Sequence, residues 1–125
     1  MIVAVVGVGL IGGSIGLAAR ERLGATVRGF DPRADEAVAR GAIHSAHRDL
    51  GDALDGAEAV FVAVPVDRLA DSVRSVLAQA PRGCVVTDVG STRSRRPAAW
   101  LGSTTTGRWL SSLSTGTAVR SNVKR

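Results

Sequence analysis

The sequence predicts an α/β fold in which helices cover both faces of a doubly wound parallel sheet, followed by an irregular C-terminal tail. Short apolar runs alternate with amphipathic segments over residues 1–92, which is typical of an open parallel sheet. From about Pro97 this alternation stops, and ten of the remaining 29 residues are Ser or Thr. We therefore expect a folded domain over residues 1–96 and a basic, Ser/Thr-rich tail over residues 97–125.

The elements of the domain are predicted in order from apolar periodicity and turn residues. Strands are expected at residues 2–6, 26–30, 59–63 and 84–88, with a short additional strand at 42–45. Helices are expected at residues 13–23, 33–40 and 67–79, with a short one at 50–54. Apolar side chains at helical spacing predict the side of the first helix that packs on the sheet: Ile15, Ala18, Ala19 and Leu23.

The first strand leads into a glycine-rich loop, Gly-x-Gly-x-x-Gly over residues 7–12, and a helix follows. In such a loop the backbone N–H groups at the helix start can face a pyrophosphate, where the helix dipole also favours negative charge. Asp31 ends the second strand, nineteen residues after Gly12, close to the spacing of a ribose-binding carboxylate. A glycine turn without a ligand is the alternative, and the strand, helix and acid around the loop disfavour it. The pattern predicts a Rossmann-type dinucleotide site with these cofactor-binding residues: Gly7, Gly9, Leu10, Ile11, Gly12 and Asp31.

Two later loops should reach the same edge of the sheet. Pro65 cannot donate to a strand ladder, so it ends the strand at 59–63, and Val64 and Pro65 become candidate cofactor contacts. A purely structural strand-to-helix turn explains these two residues equally well. Polar residues also follow the strand at 84–88, and Ser91 among them is a candidate substrate contact, although Ser is also a common helix-capping residue.

Composition argues against several other classes of protein. The single cysteine, Cys84, cannot form an internal disulfide and has no metal-site spacing, so a buried strand residue is expected and no metal is predicted. No apolar run approaches the ~20 residues of a membrane span, and no signal peptide is evident, so we expect a cytoplasmic protein without a membrane partner. The net charge of +5 comes mostly from residues 97–125, which carry four positive charges and no acid. The nearly neutral domain therefore predicts no nucleic-acid partner.

Four motifs together resemble the prephenate/arogenate dehydrogenase family. They are Gly7-Val-Gly-Leu-Ile-Gly-Gly-Ser14, Gly29-Phe-Asp31, Val62-Ala-Val-Pro-Val66 and Asp88-Val-Gly-Ser-Thr92. The resemblance covers residues 1 to about 96. The resemblance implies an N-terminal Rossmann domain and a C-terminal helical domain that forms a homodimer. It also implies oxidative decarboxylation of prephenate or arogenate with NAD or NADP, in tyrosine biosynthesis.

The resemblance also assigns roles to individual residues. It places Gly7, Gly9 and Gly12 at the pyrophosphate and Asp31 on the adenosine ribose hydroxyls. A carboxylate there disfavours a 2′-phosphate, which favours NAD, while the nearby Arg33 keeps NADP open. Ser91 matches the family serine near the substrate ring hydroxyl and is the candidate catalytic residue.

Two departures from the family pattern bear on activity. Arg93 stands where the family loop usually has a lysine, so the charge is kept but the donor geometry differs. The family histidine that follows the serine has no counterpart, because His44 and His47 both precede Ser91. We therefore expect a cofactor-binding fragment that is inactive by itself. Residues from about 94–97 onward are hypothesised to be a frame-shifted or truncated terminus of a longer gene, the alternative being a natural short protein with a disordered basic tail.

Two other functions stay open. Another small NAD(P)-dependent reductase, of the hydroxyisobutyrate or pyrroline-carboxylate kind, ranks lower because those enzymes lack the Asp-x-Gly-Ser motif. A nucleotide-binding regulatory module without chemistry of its own is favoured by the missing histidine, whereas Ser91 favours an enzyme.

Overall fold

The computed structural model describes residues 1–89, 107–111 and 119–120. The strands are β1 (Ile2–Val6), β2 (Thr26–Phe30), β3 (Ser45–His47), β4 (Ala59–Val62), β5 (Cys84–Asp88), β6 (Gly107–Ser111) and β7 (Val119–Arg120). The helices are α1 (Leu10–Leu23), α2 (Ala34–Ala39), α3 (Leu50–Leu54) and α4 (Val66–Gln79). Among the described residues, no helix has the length and apolar character needed to cross a membrane.

The seven strands of the described residues form one sheet, in the order β3-β2-β1-β4-β5-β6-β7. The first five strands run parallel to one another, which confirms the predicted α/β, doubly wound sheet of the Rossmann type. The chain proceeds outward from β1 through β2 to β3 on one side, and through β4 to β5 on the other. In such sheets the ligand crevice lies where the order reverses, at the carboxyl ends of β1 and β4.

Successive residues of β1 face opposite sides of the sheet, and each side is covered by helices. Val3 and Val5 belong to a buried cluster with residues of α1 and α2, whereas Ala4 and Val6 belong to a second cluster with residues of α3 and α4. Burial on both faces explains why the strand is an uninterrupted apolar run rather than an alternating one.

The face of α1 that packs on the sheet differs from the predicted one. Gly12, Gly16 and Ala19 are its buried residues. A Cβ atom on Gly16 would lie 2.7 Å from the carbonyl oxygen of Ala42, so the helix approaches too closely for large side chains. Ile15 is only half-buried, and the predicted inward positions of Ala18 and Leu23 are wrong because both side chains are exposed. Close backbone approach, and not apolar periodicity, sets this interface.

Two elements also differ from the prediction by more than one residue at a boundary. Helix α1 begins at Leu10 instead of residue 13, and the short strand lies at 45–47 instead of 42–45. His44, inside the predicted strand, still pairs with β2: its N–H donates to the carbonyl of Val27 at 2.9 Å, and its Nδ1 accepts from the N–H of Val27 at 2.9 Å. A side chain therefore occupies the place of a backbone acceptor just before β3 begins.

Strands β6 and β7 lie within residues 97–125, where the sequence pattern predicts no strand. β6 runs parallel to β5, and β7 is antiparallel to β6. The partner of β6 is the open edge of β5, a contact between residues distant in sequence that local periodicity does not reveal. Residues 90–106 lie outside the described part of the chain, and the domain boundary at 96/97 stays a prediction.

Candidate functional site

The glycine-rich loop begins at Gly7, which directly follows β1. Its backbone has φ +88°, a conformation that side chains rarely adopt, and a Cβ atom would lie 2.6 Å from the carbonyl oxygen of Ala63. Its N–H donates to the carbonyl of Phe30 at the end of β2, at 2.9 Å. Both the turn and the close approach of β4 therefore require glycine at this position.

Gly12 holds the start of α1 against this turn. A Cβ atom on Gly12 would lie 1.9 Å from the carbonyl oxygen of Gly7 and 3.2 Å from Val5. Glycine at this position brings the first turn of α1 directly over the end of β1. The helix start is thereby fixed at the crevice between β1 and β4.

Gly9 has a different environment from Gly7 and Gly12. It is the N-cap residue of α1, its φ of −80° is accessible to any residue, and no described atom lies within 4 Å of a Cβ built there. The helix start has no side-chain cap within the described residues, and its first turn carries no acid. An open backbone beside uncapped N–H groups is the geometry that accepts an anion.

Leu10 and Ile11 follow Gly9 in the first turn of α1. Their side chains are 90% and 55% exposed, although both are large and apolar. They are therefore available for contact with a ligand at the helix start. Their role as cofactor contacts stays a prediction.

Asp31 lies next to the glycine-rich loop, at the end of β2. Its Oδ2 accepts from the N–H of Val8 at 3.1 Å, and its Oδ1 accepts from the N–H of Arg33 at 2.7 Å. The side chain is half-buried, so it remains open to solvent on one side. The structure thus brings together the loop and the acid that the sequence separates by nineteen residues. The sequence does not predict the hydrogen bond from Val8 to Asp31, because no residue type marks Val8 as the donor.

The turn after β4 reaches the same crevice. The N–H of Ala63 donates to the carbonyl of Val6 at 2.7 Å, which holds this turn beside the end of β1. A Cβ built on Gly7 would meet Val64 Cγ1 at 2.9 Å, so Val64 lies directly against the glycine-rich loop. Pro65 is the exposed N-cap residue of α4. Val64 and Pro65 lie where the prediction expects them, and their contact with a cofactor stays a prediction.

The carboxyl end of β5 lies at the same edge of the sheet, beside the end of β4. Asp88 is its last residue, is paired in register with Val62 of β4, and is only 3% exposed. Ser91, the candidate catalytic residue, and Arg93 lie outside the described residues. Their predicted roles stay predictions.

Cys84 begins β5 and has the structural role that the sequence predicted. It is 1% exposed, and burial raises the pKa of its thiol from 9.0 to about 11. A thiol held in its neutral form is a poor nucleophile and a poor metal ligand.

The two histidines lie on the β2–β3 side of the sheet. His44 bonds to Val27, near the amino end of β2, and His47 Nε2 lies 2.9 Å from the hydroxyl of Ser45. His47 is paired in register with Phe30. It therefore lies at the carboxyl edge of the sheet, but on the outer strand β3.

Comparison with known proteins places this geometry in a family. The model of the prephenate dehydrogenase nucleotide-binding domain matches residues 15–99. The glycine-rich loop precedes the matched range, so its geometry is a separate indication of a nucleotide site. No curated protein matches the sequence.

Solved structures with the same fold include several dehydrogenases. The arogenate dehydrogenase of Synechocystis is 30% identical with a TM-score of 0.70, over 88% of this chain and 41% of that one. A prephenate dehydrogenase from A. aeolicus, solved with hydroxyphenyl propionate and NAD+, is 24% identical with a TM-score of 0.67, over 76% of this chain and 35% of that one. The 3-hydroxyisobutyrate dehydrogenase of Mycobacterium tuberculosis is 25% identical with a TM-score of 0.68, over 93% and 41%.

This chain spans about two fifths of the length of these enzymes. The family model, by contrast, covers more than half of the chain. The chain therefore belongs to the family of prephenate dehydrogenase nucleotide-binding domains, whose parent enzymes are oxidoreductases.

Proposed function

We propose that this chain binds NAD in the crevice between β1 and β4, as the cofactor-binding part of a dehydrogenase that acts on prephenate or arogenate. The observation that carries the proposal is the open backbone of Gly9 at the uncapped start of α1, beside the Asp31 carboxylate. The family match and the NAD+ in the related A. aeolicus structure support the same ligand.

The residues present fit the two ends of such a ligand. The pyrophosphate would lie against the N–H groups at the start of α1, where Gly9 leaves space that a side chain would fill. The adenosine ribose hydroxyls would donate to Asp31, whose carboxylate oxygens keep free acceptor capacity beyond their two backbone partners. The cofactor, when bound, accepts the hydride, and this domain orients it.

Charge favours NAD over NADP at this site. The Asp31 carboxylate lies where a 2′-phosphate would add a second negative charge, and repulsion weakens binding. NADP is the second candidate because Arg33, two residues further on, is exposed, and within the described part of the chain its guanidinium pairs with the exposed Glu36, at 3.5 Å. An exposed ion pair of this length is weak enough for Arg33 to turn towards a phosphate instead.

Ser91, in the Asp-x-Gly-Ser motif that follows β5, is proposed to contact the substrate ring hydroxyl. On the family resemblance alone, the parent enzyme is proposed to be a cytoplasmic homodimer that acts in tyrosine biosynthesis.

The test compares NAD binding to the unmodified chain, Gly9→Val and Ala78→Leu. Gly9→Val fills the open space at the start of α1, and Ala78→Leu adds the same three carbon atoms at an exposed position of α4. We expect millimolar NAD to raise the Tm of the unmodified chain and of Ala78→Leu, and NADP to raise it less. Gly9→Val should still show a cooperative ligand-free transition, at a Tm lowered by the poorer N-cap residue, and should lose the NAD-dependent increase. An unmodified chain whose Tm and calorimetric titration do not respond to NAD would contradict the proposal.

A further inference from the structure

We propose that Asp31 is also a positioning residue, which holds the glycine-rich loop in its binding conformation before any ligand arrives. This inference rests on the proposed function, because the loop it concerns is the proposed pyrophosphate site. It adds to ribose binding a second task for the same carboxylate.

The hydrogen bond from Val8 to Asp31 lies just beyond the end of the β1–β2 ladder. The last register pair of the β1–β2 ladder is Val6 with Phe30, and the N–H of Gly7 donates to the carbonyl of Phe30. The next donor in the loop is the N–H of Val8. The backbone carbonyl of Asp31 is engaged in its own turn, where it accepts from the N–H of Ala34 at 3.0 Å. It is the side-chain carboxylate of Asp31 that accepts from the N–H of Val8, at 3.1 Å.

Because Val8 is buried, the hydrogen bond from its N–H to Asp31 stabilises the conformation of the loop. Val8 is only 7% exposed and packs in the cluster between the sheet and α1 and α2. A buried backbone N–H without an acceptor is costly, so loss of the carboxylate would favour loop conformations that expose Val8 to water. Those conformations move Gly9 and the helix start away from their present arrangement.

The other oxygen of Asp31 fixes the carboxylate itself. Oδ1 accepts from the N–H of Arg33 at 2.7 Å, within the turn that leads into α2. The group is therefore oriented from its own turn and reaches across to the loop with Oδ2. Because this orientation exists without a ligand, Asp31 links ribose recognition to the shape of the pyrophosphate site.

A ligand without ribose hydroxyls separates the two tasks. ADP and 2′,3′-dideoxy-ADP share the diphosphate and the adenine, but only ADP can donate hydroxyls to Asp31. If Asp31 acted through the hydroxyls alone, Asp31→Ala would leave the affinity for dideoxy-ADP unchanged. Removing its negative charge would, if anything, strengthen the binding of an anion. Weaker binding of dideoxy-ADP is therefore specific to the positioning role.

The experiment measures the Kd of both nucleotides by calorimetry for the unmodified chain, Asp31→Ala, Asp31→Asn and Asp35→Ala. Asp35→Ala is the matched control, since it removes an equal charge from α2 and, as far as the described residues extend, breaks an exposed pair with Arg48. In Asp31→Ala we expect dideoxy-ADP to bind about tenfold more weakly, equivalent to about 1.4 kcal/mol, and ADP to lose more than that. Asp31→Asn keeps one acceptor oxygen and should show a smaller loss for dideoxy-ADP. Asp35→Ala should show none.

The outcomes separate this inference from the proposed function. ADP binding by the unmodified chain, with dideoxy-ADP affinity unchanged or stronger in Asp31→Ala, overturns the positioning role alone. Failure of the unmodified chain to bind ADP and NAD overturns both proposals. If Asp31→Ala does not fold, the comparison rests on Asp31→Asn, and unchanged dideoxy-ADP affinity in that variant overturns the inference.

Discussion

The glycines of the loop and of the helix start divide into two groups by their surroundings. Gly7 is required by its positive φ and by the nearby carbonyl of Ala63, and Gly12 by the carbonyl of Gly7. Gly9 and Gly13 meet no described atom, so the packing of the described residues does not require glycine at either position. A motif that looks uniform in sequence therefore divides into residues that the fold requires and residues that leave backbone open to a ligand.

This division predicts opposite effects on stability within one short segment. Gly7→Ala should lower the free energy of unfolding by about 3 kcal/mol, because it combines a strained φ with a steric overlap. Gly13→Ala should raise it by up to about 1 kcal/mol, because alanine is the better helix former and its Cβ atom meets nothing. Urea denaturation of the ligand-free chain measures both. A destabilised Gly13→Ala would show that an unrecognised contact covers that position.

Among the elements, β5 contains Cys84, whose buried thiol makes the free energy of unfolding depend on pH. Burial raises the pKa of Cys84 to about 11, above its value of 9.0 in an unfolded chain. Below about pH 9 both states carry the proton and stability does not depend on this group. Between about pH 9 and pH 11 the unfolded state loses the proton while the folded state keeps it, so stability falls as the pH rises.

We expect the free energy of unfolding to fall by about 2–3 kcal/mol across this interval, at about 1.4 kcal/mol per pH unit. Few other groups interfere, since the chain has no tyrosine and one lysine, Lys124. Urea denaturation at several pH values measures the slope, and Cys84→Ala is the control that should lack this part of it. Equal slopes in the two proteins would contradict a buried, neutral thiol.

Local sequence predicted most elements because their signals are local. β1, β2 and β5 lie at the predicted residues, and α4 begins one residue from its predicted start. The packing face of α1 could not be predicted in the same way. Its key residues, Gly12 and Gly16, have no apolar side chain, and their fit depends on carbonyl groups of other segments. Strand β6 was missed because its partner, the edge of β5, is distant in sequence.

For the candidate site, too, the sequence predicts the residues that local motifs identify but not the contacts that form only in the assembled molecule. The Gly-x-Gly-x-x-Gly loop and Asp31 could be predicted because residue type and spacing carry the signal. The bond from Val8 to Asp31 could not, because any residue can donate a backbone N–H and only the assembled sheet shows which one meets the carboxylate. Val64 lies against Gly7 for a similar reason, through the pairing of β4 with β1.

The order of the strands also bears on activity. β3, which contains His47, lies four strand spacings from β5, or about 19 Å at about 4.8 Å per strand. His44 bonds to the amino end of β2, further from the carboxyl edge. Both histidines are therefore too far from the end of β5 to act as a base on a substrate held there, because a general base must be within hydrogen-bond reach of the proton.

We accordingly expect this chain to bind NAD and to form no NADH when prephenate or arogenate is added. The measurement is NADH absorbance with each substrate, on protein whose NAD binding has been verified by calorimetry so that inactivity is not mistaken for misfolding. His47→Gln is the control for a hidden role of that ring and should leave the NAD affinity unchanged. NADH formation that persists through purification and disappears in Ser91→Ala would contradict the expectation. It would show that the chemistry at the end of β5 proceeds without a histidine base, with Ser91 in contact with the substrate.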